Sequence, residues 1–290
     1  ERVARLEAIL QRMDAPEFNA LVRHEAPLAD TAKIAAVHPR AYIDRVAAAV
    51  PDSGDVALDG DTYLSPGSYK AALRGAGANV QAVDLVMSGD VDNAFCAARP
   101  PGHHAETLAP LGFCLFGNVA IGAKYALEHH GLKRVAVVDF DVHHGNGTAD
   151  LLWSEDRVRF VSSHQMPLWP GSGAANELGA HGQITNIPFA PGTGSQIFRR
   201  TYEREVLPAL HDYAPELVLI SAGFDAHADD PLAQMNLTTD DFSWITERLC
   251  DLADATADGR IVSTLEGGYD LEALAASSVA HLKTLIKRGT

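Results

Sequence analysis

The sequence predicts a three-layer α/β fold with a mainly parallel sheet, and three observations carry that reading. Short apolar runs alternate with helical stretches along all 290 residues, the pattern of parallel βαβ units rather than of a sandwich or a bundle. Two runs, Val-Ala-Val-Val at 135–138 and Leu-Val-Leu-Ile at 217–220, are apolar without alternation, as strands buried on both faces require. Apolar residues at 47% and charged ones at 21% allow a sizeable core and exclude disordered, collagen-like and low-complexity chains.

Apolar residues at three- and four-residue spacing predict helices over 2–13, 40–49, 67–87, 118–129, 195–212, 239–255 and 270–287. Pro208 predicts a kink or break in the fifth of these. Strands are expected over 94–98, 134–140, 158–163, 184–188, 217–222 and 260–265, with 134–140 and 217–222 central. The Gly- and Pro-rich stretches at 99–117, 165–194 and 223–236 read as loops. In open parallel sheets ligands bind at the carboxyl edge of the strands, so these loops should converge on one crevice there. No repeat and no Ser/Gly linker divides the chain, so residues 1–290 read as one domain.

With 23 Lys+Arg against 38 Asp+Glu the formal net charge is −15, which disfavours binding to a DNA backbone and suits cationic ligands. Cys96, Cys114 and Cys250 are too few and too scattered for a disulfide framework, so a reducing, cytoplasmic setting is expected. No run approaches the ~18 apolar residues of a membrane span, and no signal peptide opens the chain.

Four stretches carry chemistry. Val135 to Thr148 reads Val-Ala-Val-Val-Asp-Phe-Asp-Val-His-His-Gly-Asn-Gly-Thr, an apolar strand running into acids and imidazoles. Asp141 and His143, two apart, can point at one atom and suit zinc or a similar divalent ion. The strand ending in Ser-Ala-Gly-Phe-Asp-Ala-His supplies Asp225 as the natural third ligand, with His227, Asp229 and Asp230 as alternatives. Three ligands and an open position describe a catalytic metal site rather than a structural one. His103 and His104 follow a Pro-Pro-Gly turn and can act as general base and electrostatic partner. His129-His130, by contrast, reads as a solvated helix end. In Glu-Gly-Gly-Tyr-Asp, Tyr269 stands where a phenol can donate to a developing oxyanion, a contribution of about 3 kcal/mol.

Standing together in this order, these motifs closely resemble the histone deacetylase superfamily, which includes acetoin-utilisation proteins and acetylpolyamine amidohydrolases. Arg99-Pro-Pro-Gly-His-His-Ala, Gly112-Phe-Cys-Leu-Phe, Asp139-Phe-Asp-Val-His-His-Gly-Asn-Gly-Thr, Ser221-Ala-Gly-Phe-Asp-Ala-His and Glu266-Gly-Gly-Tyr-Asp resemble its class II and bacterial branch. The resemblance implies the arginase/deacetylase type of sheet and a zinc ion on Asp141, His143 and Asp225. It makes His103 and His104 the imidazole pair, oriented by Asp139 and Asn146, and Tyr269 the oxyanion donor. An amide fixes a tautomer without stabilising an imidazolium, so His104 should be the easier of the two to keep neutral.

The resemblance further implies a structural potassium ion on the carbonyls of Asp139, Asp141, His143 and Ser163 and the Ser162 hydroxyl. It gives a substrate slot walled by Phe113 and Trp169 beside Leu232 and Gly267. The chemistry implied is zinc-dependent hydrolysis of an N-acyl amine: an acylated lysine peptide or, alternatively, a small acetylated polyamine. An arginase-type ureohydrolase would need a second metal, and a non-catalytic reader would lack one of these groups. The sequence leaves room for a homo-oligomer. Gly117 stands where related chains carry Asn, and the family opening His-Pro-Glu-Arg is represented by Glu1-Arg2, implying a short upstream segment with a first strand and a rim loop.

Overall fold

The computed structural model describes residues 1–289. The chain opens with α1 (Ala4–Met13), α2 (Thr31–Ile34) and α3 (Arg40–Ala48), and then forms a small antiparallel hairpin of β1 (Val56–Ala57) and β2 (Tyr63–Leu64). The long helix α4 (Ser68–Ser88) leads into β3 (Asn93–Cys96), and α5 (Asn118–His129) into β4 (Val135–Asp139). After α6 (Asn146–Leu151) come β5 (Val158–Gln165) and β6 (Ile184–Phe189), followed by α7 (Ser195–Thr201) and α8 (Leu207–Tyr213). The chain closes with β7 (Leu217–Ala222), α9 (Thr239–Thr256), β8 (Ile261–Leu265) and α10 (Leu271–Arg288).

The six strands β3 to β8 form one sheet in the order β3-β8-β7-β4-β5-β6, and every neighbouring pair is parallel. The continuous apolar runs do occupy its centre, because each must bury both faces. Ala136 and Val138 of β4 join Val218 and Ile220 of β7 in a core shared with α1, α9 and α10. Val135 and Val137 turn the other way with Leu217 and Leu219, against α4 and α5. Alternation of side chains across the strand thus serves two apolar layers, each buried Val or Leu contributing about 1.5–3 kcal/mol of transfer free energy. A third cluster, including Ile34, Tyr42, Leu64 and Phe116, seats α3 and the hairpin on α4 and α5.

The sheet order positions the site. From β4 the chain builds outward through β5 to β6, then returns to lay β7 on the opposite side of β4 and β8 beyond it. The carboxyl ends of β4 and β7 therefore flank the point where the winding direction reverses, and loops diverging there leave a crevice. Both apolar strands run their acidic tails into it.

At Pro208 the structure corrects the expected break. The helix widens into a π turn over Tyr202–Val206 and continues directly as α8, with Pro208 in its first turn. Proline has no N–H for the carbonyl four residues back, and a wider turn accommodates that loss without ending the helix.

Candidate active site

Two glycines and a chain of carboxylate turns assemble the centre. Past β4, Asp139 Oδ1 accepts from the Asp141 amide at 3.1 Å, and Asp141 Oδ1 from the His143 amide at 2.9 Å. These turns bring Asp141 and His143 to one side, as their spacing predicts. From β7, Asp225 reaches the same place, where its Oδ1 accepts from the Val142 amide at 2.9 Å. His143 Nδ1 lies 3.2 Å from Asp141 Oδ1 and 3.1 Å from Asp225 Oδ2. Gly223 and Gly267 are required here: a Cβ would fall 2.1 Å from Asp141 Oδ2 at the first, and 2.2 Å from Asp225 Oδ2 at the second. The Gly267 amide also donates to Asp141 Oδ2 at 2.8 Å.

This donor set fits a divalent ion. One atom from each of Asp141, His143 and Asp225 lies within 4.8 Å of the others, and all three residues are buried. Burial, and next the negative Asp141, push Asp225 up to about 7. Two buried carboxylates in contact repel, and a dication between them relieves that cost. Two carboxylate oxygens and one imidazole nitrogen are ligands suited to zinc. The alternatives left open by the sequence point elsewhere. His227 Nδ1 accepts from the Asp229 amide at 3.2 Å, and Asp230 accepts from the backbone amides of Leu232, Tyr269 and Asp270.

His103 and His104 lie beside the cluster with ring centroids 3.9 Å apart. Glu266 Oε2 holds their turn by accepting from the Gly102 and His103 amides at 2.6 and 3.1 Å. His103 Nδ1 pairs with Asp139 Oδ2 at 2.9 Å, and its Nε2 lies 3.7 Å from Asp141 Oδ2. His104 Nδ1 meets Asn146 Oδ1 at 2.7 Å, while Asn146 Nδ2 donates to Glu106 Oε1 at 2.8 Å. Because that amide's N–H faces a carboxylate, its oxygen faces His104; Nδ1 carries the proton and Nε2 is left as the acceptor. Burial, then the neighbouring His103, hold His104 well below the usual imidazole range. For His103 burial opposes the charge, but Asp139 and then Asp141 outweigh it and hold it well above that range.

Tyr269 lies two residues beyond Gly267 on the loop after β8. Its ring meets Phe113 edge-on at 6.0 Å, and the Arg5 guanidinium lies 5.0 Å from its centroid. Burial of the hydroxyl, then Asp225, keep the phenol well above its ordinary range, so it stays a proton donor. Trp169 approaches His104 and His143 edge-on at 4.7 and 6.1 Å and is 42% exposed, as is Leu232. Phe113 has a left-handed φ of 68°, and its backbone N–H donates to Thr62 Oγ1 at 3.0 Å. At Gly112 a Cβ would strike His104 Cδ2 at 2.5 Å and Trp169 at 2.6 Å.

Ser162 and Ser163, expected at a potassium ion, lie buried beside Asp139 on the neighbouring strand. The Ser162 hydroxyl sits 3.3 Å from the Gly145 amide and 3.0 Å from His164 Nδ1. Ser163 Oγ pairs with the Tyr202 hydroxyl at 2.7 Å. Gly117 has a packing reason: a Cβ there would lie 2.3 Å from Leu151 Cδ1.

Sequence reasoning missed three supports of the site. Arg5 on α1 is buried and donates through Nε to the Gly268 carbonyl at 2.6 Å, and also to the Glu266 carbonyl and Glu1. Glu266 was visible in its motif, but its grip on the histidine turn was not. Asp230 anchors the amides of Tyr269 and Leu232, the residues expected from the sequence as oxyanion donor and slot wall, on one carboxylate.

Residues 1–285 match the histone deacetylase domain. The histone deacetylase-like amidohydrolase of Pseudomonas aeruginosa is 41% identical over 248 residues, which cover 84% of this chain and 65% of that protein. Chloroplastic histone deacetylase 10 of Oryza sativa subsp. japonica is 40% identical over 257 residues, covering 84% of this chain and 58% of the relative. The crystal structure of the HDA15 HD domain superposes with a TM-score of 0.94 at 33% identity, covering 99% of this chain and 82% of that one. With residues 1–285 of its 290 matched by the domain and the same fold beneath the site, the chain belongs to the histone deacetylase family.

Proposed function

We propose that the protein is a zinc-dependent deacylase that hydrolyses the side-chain amide of acyl-lysine or a related N-acyl amine. The observation that carries this reading is the placement of the His103 and His104 rings, one held by Asp139 and the other by Asn146, beside the Asp141, His143 and Asp225 cluster, with Tyr269 two residues beyond Gly267 on the adjoining loop. Zinc held there supplies Lewis acidity, lowering the pKa of water from about 15.7 to about 7 and polarising the amide carbonyl. His104 Nε2, unprotonated and free to accept, takes the proton of the attacking water. His103, whose pairing with Asp139 favours its charged form, lies against His104, where positive charge opposes protonation of His104 and can stabilise negative charge developing nearby. The Tyr269 hydroxyl donates to the carbonyl oxygen as it becomes an oxyanion. The proton then passes to the leaving nitrogen, and the amine departs; the carboxylic acid formed gives its remaining proton to the amine or to solvent, so that a carboxylate and an ammonium are the final products.

Phe113, Trp169, Leu232 and Gly267 supply a slot for the apolar stem of the acyl amine. The potassium ion suggested by the sequence belongs to the same reading, as does the cytoplasm, which three buried free cysteines support. Among the described residues no helix is long and apolar enough to cross a membrane. A polyamine substrate is the second reading, favoured by Asp61 in the cavity at Phe113, where a carboxylate can meet an ammonium group, whereas Glu1 in the same cavity is already paired with Arg5 and Arg99. Acetate release from an acetyl-lysine peptide and from an acetylated polyamine, measured side by side before and after chelation, decides between them. Faster turnover of the peptide, abolished by chelation and restored by zinc, is expected. Turnover of the polyamine alone selects the second reading, and turnover of neither by zinc-loaded protein ends both.

A further inference from the structure

Outside the crevice, a second cluster of metal-ligating side chains forms where two helices end. Helices α4 and α5 run into the amino ends of β3 and β4, so their carboxyl ends lie at the sheet edge opposite the active site. There Asp84 of α4 meets His129 and His130 at the end of α5, and one ligand atom from each lies within 4.8 Å of the other two. The histidine pair is therefore more than a solvated helix end. His130 Nε2 is 2.8 Å from Asp84 Oδ1, and His130 is only half-buried.

Tyr125, one turn earlier on α5, arranges the group. Its hydroxyl donates to the same Asp84 oxygen at 2.8 Å. Its ring stacks on His129 with centroids 4.7 Å apart and an interplanar angle of 12°, and meets His130 edge-on at 5.6 Å. The Lys33 ammonium sits 3.7 Å from the centroid of the same ring. One tyrosine thus orients all three candidate ligands, the office that outer-shell partners perform at metal sites. The two imidazole rings stand at 83° with centroids 5.0 Å apart, so adjacent residues need not compete for one direction. Both helices also direct the negative ends of their dipoles to this place, which favours a cation.

We propose that Asp84, His129 and His130 form a second, peripheral site for a divalent transition-metal ion, bridging α4 and α5. Two imidazoles and one carboxylate select an ion of the zinc or nickel kind over magnesium or calcium. On binding, the ion would take the place of the contact between His130 Nε2 and Asp84 Oδ1. Solvent fills the remaining positions, since His129 is exposed.

The test is a titration of the holoenzyme, loaded with one equivalent of zinc and freed of excess, with Zn2+ alone while bound metal is counted. A second equivalent is expected, with its affinity lowered at least tenfold in His129→Ala and in His130→Ala while turnover is unchanged. His129 is exposed, so its variant keeps the comparison valid should His130→Ala fail to fold. Asp225→Ala should lose the catalytic equivalent and keep this one, which separates the two sites. Absence of a second equivalent, or its survival undiminished in His129→Ala, overturns the proposal whatever the catalytic site does.

Discussion

His103 and His104 are the same side chain one position apart, and a single atom of context divides their roles. Asp139 places a carboxylate on the first and Asn146 an amide on the second. A folded-state carboxylate raises an imidazole's pKa, so Asn146→Asp should raise that of His104, which burial and His103 now hold low. The base would then be free only at higher pH, and the acidic limb of the kcat/KM profile should move upward with little change in the alkaline limb; an unmoved acidic limb would assign the base elsewhere. Tyr269→Phe removes one donor to the oxyanion and should lower kcat roughly 10²–10³-fold with KM nearly unchanged. A rise in KM at constant kcat would make Tyr269 a wall. These residues were legible because each sits in a short motif whose spacing already aims it. Arg5, Glu266 and Asp230 were not, because their roles rest on contacts across 263, 164 and 39 positions, which no local pattern encodes.

Strands β4 and β7 show why the elements were more legible than their connections. A strand buried on both faces writes a continuous apolar run, and both were bounded to within about two residues by that rule. The hairpin of β1 and β2 has two residues per strand, and α2 and α6 are four and six residues long, too short to carry a period. The π turn before Pro208 likewise has no sequence signature apart from the proline itself. What the elements contribute to function is close approach at their ends, and Gly267 measures it. A Cβ at that position would fall 2.2 Å from Asp225 Oδ2 and 2.5 Å from Asp141 Oδ2. Gly267→Ala should therefore lower zinc affinity at least tenfold while secondary structure is retained; full affinity would show that the loop after β8 can shift without disturbing the ligands.

The whole molecule places this chemistry by topology and surrounds it with charge. The sheet reverses its winding between β4 and β7, so the two strands that run into the acids of the candidate metal cluster are neighbours in space although about eighty residues separate Asp141 from Asp225. A formal charge of −15 suits the cationic acyl amines proposed as substrates, because a negative field raises the local concentration of cations. Within the crevice it is burial and the neighbouring Asp141 that raise Asp225 and would favour a dication over two bare carboxylates. Stepwise return of zinc to chelated protein, with deacetylation of an acetyl-lysine peptide followed at each addition, tests the central claim most directly. Activity should rise linearly to one equivalent per chain and stay flat beyond it, and Asp225→Ala should gain none at that stoichiometry. Full turnover by the stripped protein, or by Asp225→Ala at one equivalent, would contradict the assignment of this cluster as the catalytic metal site.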